Sequence, residues 1–149
     1  MCSSNNNNLN TKENEIKKLM IWNSNKIGNK IDEVFLSITK NEIDIMAVNE
    51  TKIDKENEMF CFNNDLYKYH LKSRNKYGGG VGFIIRSNIE FDIVNDLDTF
   101  NCEAVSIKVK YNKNDLFIIT YYNPPSEKIN IQMLEFIEKS INSTLYVGI

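Results

Sequence analysis

A lone carboxylate, Glu50, ends the apolar run over residues 43–50, and two amides, Asn23 and Asn25, close the apolar run that begins at Leu19. A third run, 116–122, stops on Tyr122 just before Asn123, Pro124 and Pro125. In open α/β sheets ligands gather outside the carboxyl ends of the strands, so these four residues are the first candidates for chemistry. A glutamate beside asparagine carbonyls is an all-oxygen donor set, the hard kind that holds Mg²⁺ through one or two carboxylates plus a substrate phosphate. The asparagine amides can also hold a carboxylate in place or donate to a phosphate, as can a tyrosine hydroxyl. The plainer alternatives are a solvated glutamate and asparagines that form a turn or cap the next helix. By strand alternation Tyr121 faces away from Tyr122, and its simplest reading is packing.

A second set of residues is basic. Lys68, His70, Lys72, Arg74 and Lys76 follow one another with no acidic residue between them, interleaved with Tyr67, Tyr69 and Tyr77. Such a stretch can track a phosphate backbone, with Lys72, Arg74 and Lys76 as its contacts, or it can be a solvated loop. His70 is the only histidine and has no acid near it in sequence, so it makes a poor general base and suits a surface or stacking role. The glycines at 78, 79, 80 and 82 lack the Gly-Lys-Ser/Thr ending of a phosphate-binding loop and lead into a strand. A tight turn or a bulge is expected there.

The elements that must position these groups follow from the periodicity. Residues 19–22 read as a strand, and Ile27, Ile31, Val34, Phe35 and Ile38 recur at helical spacing, which predicts a helix over 28–39. With a strand over 43–48, the strand, helix, strand order implies a crossover between adjacent parallel strands, which brings Asn23 and Glu50 to one sheet edge. Segments 67–71, 80–86, 89–93, 102–111 and 116–122 read as short strands divided by Asn, Asp and Gly turns, predicting antiparallel hairpins. Ile129, Met133, Phe136, Ile137 and Ile141 form a second helical stripe before a last strand over 145–149. The expected class is α/β, in one domain over 16–149, with no internal repeat.

At 149 residues and 42% hydrophobic content the chain can bury a core. Its net charge of -2 gives no global basic field, so nucleic-acid contact would need a local patch. Cys2, Cys61 and Cys102 are widely spaced, which excludes a close-spaced zinc site or a disulfide framework and suggests a reducing compartment. Residues 1–15 are polar and asparagine-rich and read as a disordered tail. There is no signal-peptide pattern and no run of ~18 apolar residues, so an intracellular protein away from the membrane is expected. Nothing in the sequence calls for an obligate protein partner.

Taken together, Trp22-Asn23-Ser24-Asn25, Asn49-Glu50-Thr51-Lys52, the segment from Gly78 to Arg86 and Tyr122-Asn123-Pro124 resemble the endonuclease/exonuclease/phosphatase superfamily. They are most similar to the apurinic-type endonuclease domain of LINE-type (non-LTR) retrotransposons. The resemblance implies a two-sheet α/β sandwich flanked by helices, and hydrolysis of DNA phosphodiesters with Mg²⁺ or Mn²⁺. It also implies roles: Glu50 as the metal-binding glutamate, Asn23 as the active-site asparagine, Asn25 as the group near the metal and Tyr122 beside the scissile phosphate. Lys26 stands where the family usually has glycine, so the first loop is expected to differ in shape. Family members continue into Gly-Asp-x-Asn and a later Asp and Asp-His pair, whereas here Gly148 is followed by Ile149 alone. The expectation is therefore the N-terminal part of such a domain, inactive or nearly so by itself. The rival readings are a lipid or nucleotide phosphoesterase of the same superfamily, and a non-catalytic remnant that acts as a binding module.

Overall fold

A parallel pair joined by a helix starts the chain: β1 (Leu19–Asn23), α1 (Ile31–Lys40) and β2 (Ile45–Asn49). The computed structural model describes residues 15–140 and 144–147. The asparagine-rich segment over 1–15 therefore lies outside them, apart from an exposed Glu15. Helix α1 carries Asp32 and Glu33 in its first turn and Lys40 in its last, complementing the helix dipole, and buries Val34, Phe35 and Ile38. The residues read as its first turn, Gly28–Lys30, instead form a separate 3-10 turn.

Sheet one has the order β1-β2-β4-β3, with β3 (Tyr67–Lys72) and β4 (Val81–Arg86) antiparallel. Strand β4 also pairs antiparallel with β2, Val48 opposite Gly82. Sheet two has the order β5-β6-β7-β8, built from β5 (Phe91–Val94), β6 (Glu103–Tyr111), β7 (Asn114–Tyr122) and β8 (Thr144–Val147). The predicted hairpin strands thus exist but are shared between two sheets. A short helix absent from the sequence reading, α2 (Glu58–Phe62), lies before β3, and α3 (Ile131–Ser140) starts two residues after Ile129, which is exposed.

Each sheet has two buried faces, because strand alternation sends apolar side chains both ways. Ile45, Ala47, Phe83 and Ile85 meet Val105, Ile107 and Ile118 between the sheets. Met46, Val48 and Ile84 pack outward on Val34, Phe35, Ile38 and Phe62, while Ala104 and Ile119 pack on Met133 and Ile137 of α3. The result is a helix, sheet, sheet, helix sandwich, as the resemblance implied. Cys61 and Cys102 are free thiols in separate clusters. Among the described residues no helix is long and apolar enough to cross a membrane.

At one end of this sandwich the apolar inner layer turns polar. Positions 23 on β1, 49 on β2, and 120 and 122 on β7 continue the inward-facing series of Leu19, Ile45, Ala47 and Ile118, but carry Asn, Asn, Thr and Tyr. That end is where the candidate chemistry collects.

Candidate active site

Glu50 leaves β2 in the left-handed backbone region, at φ 51°. This turns its side chain off the strand line and across the ends of its neighbours. The register puts Asn23 opposite Asn49 on parallel strands, and Asn23 Nδ2 donates to Glu50 Oε1 at 3.2 Å. From the second sheet Tyr122 approaches the same carboxylate, closely enough that each group shifts the pKa of the other. Three separate strands from both sheets thus deliver Asn23, Glu50 and Tyr122 to one place. Tyr121 faces the other way, against the α3 cluster, and its hydroxyl donates to Asn123 Oδ1 at 2.8 Å.

A lysine completes the network. Lys52 Nζ lies 3.3 Å from Glu50 Oε2 and donates to Asn25 Oδ1 at 2.6 Å. Lys52 was legible in the sequence only as part of a motif, because its approach depends on a second left-handed residue, itself at φ 48°. Burial pushes the Glu50 pKa up, but the hydrogen bonds from Asn23, Tyr122 and Lys52 and the lysine charge together outweigh it, so the net value falls below the ordinary one. Burial, then the hydrogen bond and charge of Glu50, push the Tyr122 phenol up. A folded pKa below the unfolded one means ionised Glu50 stabilises the fold above the unfolded value, and that contribution is lost as pH falls through the folded value. Glu50→Gln should therefore flatten the acid side of the stability curve below about pH 4.3, read by urea unfolding at several pH values.

The loops around the carboxylate are held by the backbone. Ser24 is buried, and its Oγ donates to the carbonyls of Asn49 at 3.1 Å and Glu50 at 2.9 Å. Lys26 N and Ile27 N donate to the Glu50 and Thr51 carbonyls. Lys26 takes φ 80°, so a backbone conformation that favours glycine is carried here on a lysine. On the other flank Thr51 N and Lys52 N donate to the carbonyls of Gly80 and Gly79, at φ 90° and 67°. The glycine run is thus a turn, as expected, and it clamps the segment after Glu50. Asn25, Lys26, Glu50, Lys52, Gly79 and Gly80 concentrate left-handed backbone around one carboxylate, a pattern typical of functional sites.

The basic stretch divides. Lys72 Nζ pairs with Asp98 at 3.1 Å and donates to the Cys102 carbonyl, and Arg74 pairs with Glu103 at 2.8 Å. Glu103, a site neighbour that the sequence reading passed over, lies opposite Tyr122 in the β6–β7 ladder, and its Oε2 accepts from Gly80 N at 2.7 Å. The Lys76 ammonium has no ion-pair partner among the described residues, while the residue's backbone N–H donates to Asp54 Oδ1 at 3.0 Å. Its Nζ sits 5.2 Å from the ring centre of Tyr77, which is 83% exposed. His70 lies half-buried in a cavity of about 230 Å³ between β3, β5 and β6, away from Glu50, where burial lowers its pKa against the pull of Glu58 and Asp98.

As a metal site the network offers only oxygens. Glu50 Oε2 and Asn25 Oδ1 already converge on one cation, the Lys52 ammonium, so the donor set fits a hard divalent ion. Among the described residues no three His, Cys, Asp or Glu side chains cluster as a metal cage. An ion here would rest on a single carboxylate and keep several waters, as Mg²⁺ commonly does.

Comparison with known proteins agrees with this architecture. A "Probable RNA-directed DNA polymerase from transposon BS" of Drosophila melanogaster is 25% identical over 132 residues, covering 88% of this chain and 15% of that protein. The endonuclease domain of TRAS1, a telomere-specific non-LTR retrotransposon, superposes with a TM-score of 0.66 at 11% identity, over 87% of this chain and 57% of that one. A 3′ phosphatase from Neisseria, bound to a product DNA hairpin, gives 0.60 at 16% identity, over 87% and 56%. The chain thus spans about half the length of these solved structures and a small part of the transposon protein. The model of the endonuclease/exonuclease/phosphatase family matches residues 20–147, and the chain belongs to that family.

Proposed function

We propose that this chain is part of a retrotransposon-type DNA endonuclease, with Asn23, Glu50 and Tyr122 at the scissile phosphate and Mg²⁺ or Mn²⁺ held by Glu50 and Asn25. The convergence of those side chains from three strands and two sheets on one ionised carboxylate carries the reading. When bound, the ion supplies Lewis-acid polarisation of a phosphate oxygen. Asn23 fixes the Glu50 carboxylate, Tyr122 can offer its hydroxyl to a phosphate oxygen, and Lys52 adds positive charge beside it. DNA as the substrate is supported by the Neisseria relative's bound hairpin and by the transposon relatives.

These residues bind and orient, but none of them suits the removal of a proton from water. Glu50 has a lowered pKa and is a weak base, and the one histidine lies at another edge of the sandwich. A missing general base is worth ~10²- to 10⁴-fold in rate. Nicking of supercoiled plasmid in Mg²⁺ should therefore be at least ~10²-fold slower with the 149-residue chain than with the same chain extended by the second half of a family member's domain. Fast nicking by the short chain would overturn the missing-base argument, and no nicking by the extended one would overturn the nuclease reading.

The nucleic-acid path proposed for Lys72, Arg74 and Lys76 is weighted toward Lys76. Its ammonium stands on an exposed ring beside the glycine turn, whereas Asp98 and Glu103 neutralise the other two. Lys76→Gln should reduce the slope of log K against log salt for duplex DNA by about 0.9. Lys72→Gln should change it less, and equal slopes for the two variants would remove the distinction.

A further inference from the structure

We infer that the buried Asn49–Thr120 pair is a positioning device that sets where Tyr122 stands relative to Glu50, and so is part of the proposed site without touching substrate. The inference rests on the reading of that site given above. Glu50 belongs to sheet one and Tyr122 to sheet two, so the distance between them is fixed by how the two sheets sit on each other at this end. Apolar packing between sheets tolerates small slides, because it has no preferred direction. A hydrogen bond between side chains does not.

Asn49 is 3% exposed and Thr120 is fully buried. Thr120 Oγ1 donates to Asn49 Oδ1 at 2.6 Å, across 71 residues of chain and from one sheet to the other. Asn49 Nδ2 in turn donates to the Tyr121 carbonyl at 3.4 Å, a longer second tie onto β7. The two partners stand next to the groups they would position: Asn49 directly precedes Glu50, and Thr120 lies two residues before Tyr122 on the same face of β7. The Asn49 backbone is fixed as well, since its carbonyl accepts from Ser24 N and Ser24 Oγ. A polar pair in this layer, where positions 45, 47 and 118 are apolar, gives the interface a unique register, the role for which buried polar groups are best attested.

Two substitutions separate positioning from stability. Thr120→Val keeps the shape and removes the hydroxyl; Thr120→Ser keeps the hydroxyl and removes a methyl. The chain would be labelled with ¹³Cζ-tyrosine and the Tyr122 resonance, assigned by its loss in Tyr122→Phe, read at one neutral pH, with Glu50→Gln marking its position when the carboxylate is gone. Thr120→Val should move the resonance toward the Glu50→Gln position, and Thr120→Ser should leave it in place although both variants lower the melting temperature. The double variant Asn49→Leu/Thr120→Val, which removes the buried hydroxyl and its amide acceptor together, should move it as Thr120→Val does. An unmoved resonance in Thr120→Val and in the double variant, or an equal movement in Thr120→Ser, overturns the inference while leaving the site intact. A resonance that ignores Glu50→Gln itself removes the Glu50–Tyr122 contact, and with it both the site reading and the inference.

Discussion

Glu50→Gln is expected to weaken Mn²⁺ binding to this chain by ~10²-fold or more and to remove ~10³-fold of Mg²⁺-dependent nicking from an extended domain. The size follows from what the site lacks as much as from what it has. Of the two proposed ligands, Glu50 and Asn25, only Glu50 is charged, so the substitution takes away the formal negative charge that the pair presents to a cation. Outer-shell partners of metal ligands already cost 10- to 100-fold when changed, and a sole charged ligand must cost at least that. The fold should survive, because glutamine keeps an acceptor for Asn23 and Tyr122. Only the partly exposed Lys52 ion pair is lost, worth up to about 1 kcal/mol, or roughly 2–4 °C of melting temperature. Paramagnetic broadening by Mn²⁺ and a thermal melt on one sample check both halves. Unchanged Mn²⁺ affinity in the variant would sink the metal assignment.

The half of the site that lies on sheet one was legible in the sequence for a topological reason. A strand, a helix of this length and a second strand leave few alternatives to adjacent parallel neighbours, and two chain ends on one edge then meet whatever the side chains are. Asn23 and Glu50 follow from that argument alone. Tyr122 was readable as a strand-end candidate, although nothing local says that β7 belongs to a second sheet whose end covers the first. The same blindness hid the insertion of β4 beside β2, since a pairing of Val48 with Gly82 is decided by packing across the sandwich. The placement of Lys52 and of Glu103 at the site was unreadable for another reason. One reaches the site through left-handed backbone on non-glycine residues, and the other through a hairpin register, neither of which leaves a pattern in residue type. The basic segment shows the same limit from the side of charge. A run without acids in sequence had two of its cations neutralised by acids 26 and 29 residues away.

The glycine turn carries the largest expected effect on stability. Gly80 stands at φ 90°, where an L side chain is strained by ~1–3 kcal/mol. A Cβ added there would also overlap Thr51 Oγ1. Thr51 cannot yield easily. It is fully buried, its N–H donates to the Gly80 carbonyl, and the next N–H, of Lys52, donates to the Gly79 carbonyl. Overpacking of this kind costs typically 1–3 kcal/mol more. Gly80→Ala should thus lose ~2–6 kcal/mol, a large share of the 5–15 kcal/mol that holds a typical domain together, and melt roughly 10 °C or more below the parent chain. Gly78 provides the control: nothing lies within 4 Å of a Cβ placed there, and its backbone is not left-handed. Gly78→Ala should therefore change the melting temperature by only a few degrees. The contrast also bears on function, because the strain at Gly80 falls on the two residues that follow Glu50. If Gly80→Ala folds at low temperature, its Mn²⁺ affinity should drop while that of Gly78→Ala does not. Equal melting temperatures for the two alanine variants would show that the turn does not clamp the segment after Glu50.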